Sequence, residues 1–286
     1  MAEKGPVTVA AAAMRVVHDK GRNLKRYLEF LEEAAEKGAR LVVFPEQSLQ
    51  GYLYSLDHQF TPEELEYHHR NAEPVPGEST QLLTEQAREK GMYIVFGMTE
   101  VGPANHVPTL FNSAVMVGPE GLAAVYRKVH LPGDERNIFR PGRSWEVVST
   151  PLGRVGLLIC WDQAFPESTR ELTLAGAQIL VMPTARGKTT SYFYDLFSRT
   201  RALENRRWFI ASNQVGLCDQ GETDYYGHSL IVDPRGHIVA ETGDEAEGLA
   251  VATIAVAEEI EKEAQSLFYL PRWRVPGMYR RIGEEG

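Results

Sequence analysis

Short, continuous apolar runs recur along the chain and are separated by stretches with helical periodicity. Residues 7–14 (VTVAAAAM) and 41–44 (LVVF) are such runs, and residues 23–37 between them repeat apolar positions at helical spacing. This alternation predicts an α/β fold, and a hairpin at residues 111–126 predicts that its sheets are mixed. The other predicted strands are residues 93–99, 155–159, 179–182, 208–212, 227–232 and 249–254, and the other predicted helices are residues 80–90, 166–175, 194–205 and 257–266.

Two of the apolar runs end alike, which indicates internal pseudo-symmetry. LVVF is followed by Pro45 and Glu46, and ILVM at residues 179–182 is followed by Pro183 and Thr184. A predicted helix precedes each run. Because this likeness is one of pattern and not of a true sequence repeat, it predicts a layered architecture with two similar halves.

Composition and charge narrow the class of protein. The chain has 286 residues, 43% of them hydrophobic and 24% charged, and no linker-like stretch divides it, so we predict one domain over residues 1–286. A net charge of −9 argues against nucleic acid or an anionic membrane as the main partner. The apolar runs are too short to span a bilayer, and MAEKGPVTV lacks the apolar core of a signal peptide. Cys160 and Cys218 do not make a disulfide framework, so the reducing cytoplasm is the expected location.

Cys160 stands where GLLICWDQAFPE turns from the predicted strand at 155–159 into a helix that begins near Pro166. A thiol held on such a rigid turn is well placed for nucleophilic attack. A single cysteine at a strand end is nevertheless more often inert packing. Catalysis therefore requires partners that activate the thiol and stabilise the charge formed during the reaction.

Glu46 and Lys128 are two further charged residues that follow predicted strands. Taken alone, Glu46 can simply cap the turn after Pro45, and Lys128 is one of 30 basic residues. Taken with Cys160, they supply the base and the positive charge that a nucleophilic thiol requires. A carboxylate in a dry pocket can accept the thiol proton, and a lysine can stabilise an oxyanion. No histidine lies in a Cys–His signature.

The sequence blocks around these three residues resemble the signature blocks of the nitrilase (carbon–nitrogen hydrolase) superfamily. The blocks are FPEQSLQGY, YRKVHL and GLLICWDQAFPE, while RALENRRWFIASNQVG and GHSLIVDPRG resemble later blocks, so the likeness extends over residues 7–254. The resemblance implies a four-layer α-β-β-α sandwich with two mixed β-sheets and no metal or organic cofactor. It also implies a triad in which Glu46 is the base, Lys128 the oxyanion donor and Cys160 the nucleophile.

The same resemblance implies further site residues and an assembly. Many members carry a second glutamate soon after the lysine, for which Glu135 is the match and Asp134 and Glu146 are weaker candidates. The backbone N–H of Trp161 is implied as a second oxyanion donor. Family dimers commonly pack through the helix after the cysteine and the C-terminal region, so we expect a homo-oligomer with the tail at about residues 267–286 packing on a partner subunit. Aromatic tail residues support this expectation, namely Phe268, Tyr269, Trp273 and Tyr279.

The implied reaction is hydrolysis of the C–N bond of a small linear amide, giving a carboxylic acid and ammonia through a thioester. CWDQ and FPE resemble amidases and N-carbamoyl hydrolases, and true nitrilases usually carry a glutamate where Asp162 stands. N-carbamoyl amines or amino acids are therefore the second expectation and nitriles the third. The predicted substrate-binding residues are Tyr52, Trp161, Phe165 and Thr184, with Tyr54, Tyr192 and Phe193 as further wall residues and core packing as the alternative for each aromatic.

Two other classes of function stay open on the sequence. The first is a metal hydrolase, although no HExxH or CxxC spacing is present. The second is a non-catalytic module that binds small amides, because a fold alone does not establish a reaction. The ligand types that a metal hydrolase could use are His130, Asp134, Asp162 and His228.

Overall fold

Two six-stranded β-sheets form the centre of the molecule. The structure is a computed structural model that describes residues 5–53, 61–103, 108–221 and 223–284. Within these ranges the strands are β1 (Val7–Ala13), β2 (Leu41–Val43), β3 (Tyr93–Val101), β4 (Leu110–Gly118), β5 (Gly121–Arg127), β6 (Glu146–Thr150), β7 (Gly153–Leu157), β8 (Ile179–Thr184), β9 (Trp208–Asn213), β10 (Val215–Leu217), β11 (Asp224–Tyr226), β12 (Leu230–Val232), β13 (Ile238–Glu241) and β14 (Gly248–Ile254). The helices are α1 (Lys20–Glu36), α2 (Pro62–Asn71), α3 (Glu78–Lys90), α4 (Glu135–Ile138), α5 (Pro166–Leu174), α6 (Ser191–Asn205) and α7 (Val256–Gln265).

The two large sheets repeat one pattern of strand directions. Their orders are β14-β1-β2-β3-β4-β5 and β6-β7-β8-β9-β12-β13. In each sheet three neighbouring strands are parallel, β1-β2-β3 in the first and β7-β8-β9 in the second. The strands outside these triplets pair antiparallel. Because β2 and β8 are both the middle strand of a triplet, the pseudo-symmetry predicted from their shared ending is confirmed.

The sheets pack face to face, and each carries helices on its outer face. Side chains of β2 and β8 alternate between two cores. Leu41 and Ile179 lie in the core shared by the two sheets, whereas Val42 packs with residues of α1 and α3, and Leu180 packs with residues of α5 and α6. Strands buried on both faces read as continuous apolar runs, which is why the sequence revealed them. The predicted four-layer α-β-β-α sandwich with two mixed sheets is confirmed.

The edges of the sheets differ from the sequence prediction. Strand β13 was not predicted from the sequence; it pairs antiparallel with β12 across the turn at residues 234–236. The segment predicted at residues 249–254 is β14, which pairs with β1 in the other sheet. Strand β13 alternates between half-buried and exposed residues, as edge strands commonly do, and this weakens its apolar signal. Helix α2 and edge strand β6 were not predicted either, because few of their residues are buried and their apolar pattern is weak.

The start of α3 also differs from the prediction. Gly77 occupies the N-cap position, and Ser79 and Thr80 lie inside the first turn. Ser79 contributes to the helix start, because its backbone N–H and its hydroxyl both donate to the Glu73 carboxylate, at 2.9 and 2.7 Å. The N–H group that an N-cap side chain would satisfy is therefore bound by a carboxylate outside the helix.

The C-terminal tail exposes large apolar side chains. Leu267, Phe268 and Met278 are 77%, 75% and 78% exposed. Tyr269 attaches the tail to its own chain, since its hydroxyl accepts a hydrogen bond from Arg207 at 3.1 Å. Packing of this tail on a partner subunit, and the single domain over residues 1–286, stay predictions. None of the helices in the described ranges combines the length and the apolar character needed to cross a bilayer.

Candidate active site

The carboxyl ends of the two parallel triplets meet, and polar residues collect between them. Glu46 lies just beyond β2, and Thr184 ends β8. The Glu46 N–H donates to the Thr184 carbonyl at 3.3 Å, and Gln214 Nε2 donates to the Glu46 carbonyl at 2.9 Å. Gly97 on β3 permits this approach, because a Cβ there would lie 2.6 Å from the Glu46 Cα. Sheets of this kind commonly place ligand sites at the carboxyl ends of their strands.

Glu46, Lys128, Glu135 and Asn112 form a fully buried cluster, which we call the charged cluster. Lys128 follows β5, Asn112 lies on β4 and Glu135 begins α4. Lys128 Nζ donates to Glu46 Oε1 at 2.7 Å and to Glu135 Oε2 at 2.8 Å. Asn112 Nδ2 donates to the same two carboxylates, at 2.7 and 2.6 Å. Each carboxylate is therefore held in place by an ion pair with Lys128 and a hydrogen bond from the Asn112 amide.

Burial and neighbouring charges set the protonation of this cluster. Burial, followed by the negative charge of Glu46, raises the pKa of Glu135 to about 7, against the opposing effect of Lys128. Burial acts to lower the pKa of Lys128, but the charges of Glu135 and Glu46 outweigh it, so this pKa is raised and the ammonium keeps its charge. Among the described residues, Glu46 Oε2 accepts no hydrogen bond. It is therefore an oxygen left free to take a proton.

Cys160 begins a short 3-10 helix, Cys160–Ala164, just beyond β7. Its φ of 43° lies in the left-handed region, which non-glycine residues rarely adopt except at special sites. The residue is 6% exposed, and Arg186 Nη2 lies 3.8 Å from its Sγ. Burial, followed by the charge of Glu46, raises the pKa of the thiol, whereas Arg186 and Lys128 act in the opposite direction. The raised pKa favours the protonated thiol.

Asp162 joins the turn that carries the thiol to the segment that carries Lys128. Its Oδ1 accepts the backbone N–H of His130 at 3.0 Å and lies 2.9 Å from His130 Nδ1. Its Oδ2 accepts the hydroxyl of Tyr126 at 2.7 Å and the backbone N–H of Ile159 at 2.9 Å. Because Tyr126 and His130 flank Lys128 in sequence, this buried carboxylate fixes the distance between the sulfur and the lysine.

A family match accompanies this geometry. The family model for carbon–nitrogen hydrolases matches residues 8–262. The chain belongs to the carbon–nitrogen hydrolase family. Its membership confirms the nitrilase superfamily that the three sequence blocks indicated, and the match spans both sheets and the charged cluster.

Individual relatives agree with this membership. Omega-amidase NIT2 of Homo sapiens is 34% identical over 248 residues, which cover 83% of this chain and 84% of that protein. A nitrilase of Pyrococcus abyssi is 34% identical over 235 residues, covering 82% and 83%. A solved mutant of the amidase from Nesterenkonia sp. AN1, with acrylamide added at its active-site cysteine, has a TM-score of 0.76 and 26% identity, covering 96% and 99%. This carbon–nitrogen hydrolase is accordingly an amidase, an enzyme that hydrolyses amide C–N bonds.

Two of the four predicted substrate-binding residues, Tyr52 and Thr184, border the charged cluster of this hydrolase. The Tyr52 hydroxyl donates to Glu135 Oε2 at 3.2 Å, and Lys128 Nζ lies 5.9 Å from its ring centre. Thr184 is fully buried, and a hydrogen bond between its side chain and Cys160 acts to lower the pKa of the thiol. Both side chains therefore offer a polar group to a molecule bound beside the cluster.

The other two, Trp161 and Phe165, lie on the side of the cysteine turn. The Arg186 guanidinium is 5.3 Å from the Trp161 ring centre, and the Phe165 ring stacks on His130 at 3.8 Å. The further wall residues behave differently. Tyr192 is 63% exposed and packs on Phe193, and within the described part of the chain it makes no hydrogen bond or ring contact with the charged cluster. Tyr54 lies outside the described residues.

The structure separates the three acidic candidates for the second glutamate. Glu135 lies inside the charged cluster, as described above. Asp134 is partly exposed and accepts a hydrogen bond from Asn137 at 3.1 Å. Glu146 lies on edge strand β6 and accepts from Ser144 at 2.9 Å. Position along the chain alone could not distinguish these residues, because the loop has little regular pattern.

The residues proposed for a metal hydrolase do not come together. Asp162 and His130 are neighbours, but His228 pairs with Asp195 and Glu241 instead. Among the described residues, the grouping of metal-ligand side chains is a different one, formed by His18, Cys218 and Asp219. His18 Nδ1 and Nε2 already lie 2.7 Å from Asp219 Oδ1 and 2.6 Å from the Tyr52 carbonyl oxygen.

Two polar residues that the fold brings to the site, Asn112 and Arg186, were not predicted from the sequence. Each carried a detectable signal. Asn112 interrupts the apolar strand 111–117, and a buried amide inside a strand needs partners. Arg186 comes two residues after Thr184, the position that the predicted pseudo-symmetry matches with Glu46. The third omission was the structural role of Asp162, which the sequence analysis treated as a marker of substrate class.

Proposed function

We propose that the enzyme hydrolyses a small linear amide to a carboxylic acid and ammonia through a thioester on Cys160. The observation that carries this proposal is the charged cluster, in which one lysine bridges two buried carboxylates beside a cysteine in a left-handed conformation. Such an arrangement supplies a base, a fixed positive charge and a nucleophile in one place. The addition at the active-site cysteine of the Nesterenkonia amidase supports the same assignment by likeness.

The first half-reaction forms the thioester. Glu46 Oε2 takes the proton of the Cys160 thiol, and the sulfur forms a bond to the amide carbonyl carbon while the π electrons move to oxygen. Lys128 Nζ and the Trp161 N–H stabilise this oxyanion. The protonated Glu46 then gives its proton to the amide nitrogen, the C–N bond breaks, and ammonia leaves.

The second half-reaction releases the acid. Glu46 takes a proton from water, and the water oxygen forms a bond to the thioester carbonyl carbon. The second tetrahedral intermediate expels the sulfur, which recovers a proton from Glu46, and the carboxylic acid departs. Glu46 therefore transfers protons in both halves, and Lys128 remains charged throughout because its pKa is raised.

Glu135 has a separate role in this proposal. Its two oxygens already accept hydrogen bonds from Asn112, Lys128 and Tyr52, and a carboxylate has room for a fourth donor. We assign that place to the NH₂ of the substrate, which orients the amide for attack. A nitrile offers no such N–H, so amides are favoured over nitriles. N-carbamoyl amines, which also carry an NH₂, are the second candidate substrates.

The test combines activity and labelling. We expect Cys160→Ala to abolish ammonia release from C3–C5 amides while the unfolding transition is retained, and Cys218→Ala to behave as wild type. Mass spectrometry of an alkylated sample is expected to place the adduct on Cys160. A label confined to Cys218, or full activity of Cys160→Ala, refutes the mechanism. If matched nitriles are better substrates than the amides, the triad stands but the preferred substrate is wrong.

We also propose that the enzyme is a homo-oligomer, most simply a two-fold dimer. The exposed apolar side chains of the tail, Leu267, Phe268 and Met278, support this, since such groups commonly lie in interfaces. Sedimentation at micromolar concentration tests it. A sample that contains only the 32.0 kDa species contradicts the proposal.

A further inference from the structure

Arg186 is a buried cation beside the nucleophile that has no carboxylate partner among the described residues. It is 8% exposed, and its Nη2 lies 3.8 Å from Cys160 Sγ. Its Nε is buried and donates to no acceptor within the described ranges. A guanidinium cannot lose its proton at ordinary pH, so a buried one requires a compensating charge or acceptor.

Two other buried arginines show what a structural arginine looks like in this fold. Arg201 donates to the Gln163 carbonyl at 2.8 Å and pairs with Glu204 at 2.9 Å. Arg207 donates to the carbonyl oxygens of Ala177 and Arg206, at 2.6 and 2.9 Å. Both side chains use their N–H groups on the protein itself. Arg186 is as buried as these residues, yet within the described ranges the one hydrogen bond of its side chain is a long one, to the sulfur at 3.8 Å.

The backbone of Arg186 is held rigidly. Its N–H donates to Asn213 Oδ1 at 2.7 Å, and its carbonyl accepts from Asn213 Nδ2 at 3.2 Å and from the Tyr226 N–H at 2.9 Å. The Trp161 ring lies beside the guanidinium at 5.3 Å. The side chain therefore starts from a fixed point and lies along an aromatic ring, which is the preorganisation expected of a binding residue.

Groups within the site do not supply the missing charge in the resting enzyme. Glu46 and Glu135 are already bridged by Lys128. The Cys160 sulfur carries its proton until Glu46 removes it, as described for the mechanism above. A negative charge brought by the substrate fits the arrangement better than either of these groups.

We propose that Arg186 binds a carboxylate of the substrate, so that the preferred substrates are amides that carry a carboxylate within a few bonds of the reacting carbonyl carbon. The short distance from the guanidinium to the sulfur sets this spacing, because the carbonyl carbon must bond to Sγ while the carboxylate meets Nη2. The inference rests on the proposed function. Two classes of substrate carry such a carboxylate. In a dicarboxylic acid monoamide it lies on the acyl side of the C–N bond that is broken, and in an N-carbamoyl amino acid it lies on the leaving amine.

A matched pair of substrates tests the charge. Succinamate and 4-methylpentanamide have the same shape, but an isopropyl group replaces the carboxylate in the second. We expect Arg186→Gln to lower kcat/KM for succinamate about a hundredfold, chiefly through KM, and to lower the value for the neutral amide by a much smaller factor. Arg186→Lys is expected to fall between, and Arg88→Gln, at an exposed position in the last turn of α3, is the matched control. Comparing N-carbamoylglycine with succinamate in the same assay shows on which side of the broken C–N bond the enzyme prefers the carboxylate.

A chemical probe makes the test independent of turnover. Iodoacetate and iodoacetamide both transfer a CH₂ group to the thiolate with loss of iodide, but only the first is an anion. We expect wild-type Cys160 to favour iodoacetate about tenfold relative to glutathione, and Arg186→Gln to lose that preference. Cys160→Ser gives the background from Cys218.

The outcomes separate the two proposals. If Arg186→Gln slows both amides and both alkylating agents equally, Arg186 acts on the sulfur and the anion assignment is overturned. A wild-type preference for 4-methylpentanamide overturns it as well. If no amide is hydrolysed at all, the proposed function fails, and the ratio of the two alkylation rates still supports or overturns anion binding at Arg186.

Discussion

Lys128→Met removes the one cation of the charged cluster and leaves two buried carboxylates facing each other. Lys128 is fully buried and pairs with Glu46 at 2.7 Å and Glu135 at 2.8 Å. Breaking a buried pair of this kind typically costs about 3–5 kcal/mol, because the partner charge is left without compensation. We therefore expect a loss of about this size in the free energy of unfolding near pH 8. The loss of an oxyanion donor should lower kcat about a hundred- to a thousandfold, with a much smaller change in KM.

The pH dependence makes this prediction sharper. A carboxyl group whose pKa is higher in the folded state than in the unfolded state stabilises the fold at low pH, and that stability is lost as the pH rises to the folded value. In wild type, Glu135 gives such a decline between its ordinary value of 4.5 and about 7. Without Lys128 the pKa of Glu135 is higher still, so stability should keep falling above pH 7, by about 1.4 kcal/mol per pH unit for each carboxyl that remains protonated.

Urea unfolding of both proteins from pH 5.5 to 9, together with steady-state ammonia release, measures these effects. Lys20→Met is the matched control, since Lys20 pairs with Glu73 at 2.6 Å but is 31% exposed. The control should lose about 1 kcal/mol or less, with unchanged activity. Parallel stability curves for wild type and Lys128→Met would show that the lysine does not compensate the charge of the carboxylates. A near-normal kcat in the variant would show that it does not stabilise the oxyanion.

Three further predictions follow from the contacts described above. Asn112→Leu removes a hydrogen-bond donor from both carboxylates and should lower kcat about tenfold or more in steady-state kinetics. Mass spectrometry should show that Cys160 is still alkylated in this variant. Glu135→Gln should cut amide kcat/KM about a hundredfold and remove the rise in wild-type activity through about pH 7; a wild-type profile flat across that range contradicts an ionised Glu135. The hydrogen bond to Asp195, with that to Glu241, raises the pKa of His228 to about 9, so its stabilisation is complete below pH 6.5 and lost as the pH rises through 9. His228→Gln should cost about 1–2 kcal/mol at pH 6 and little at pH 10 in urea titrations, after allowance for partial exposure.

The amino-acid sequence by itself predicted the alternation of strands and helices and proposed three residues of the candidate site. The central strands are buried on both faces, so their apolar runs carry a strong local signal, as LVVF and ILVM show. Glu46, Lys128 and Cys160 stand just beyond strands, and the order of their sequence blocks indicated the superfamily. These properties depend on neighbours within a few positions along the chain, which is why the sequence is sufficient to find them.

Only the tertiary structure decided which polar groups meet. Asn112 lies 66 positions from Glu46, and Lys128 lies 82 positions from it, yet each donates to the same carboxylate oxygen. The choice of Glu135 over Asp134 depends on burial in a loop without periodicity, and the unpaired guanidinium of Arg186 depends on which carboxylates fail to reach it. Hydrogen bonding and desolvation act across a few ångströms of space, so the register of two packed sheets had to be known before any of these contacts could be assigned.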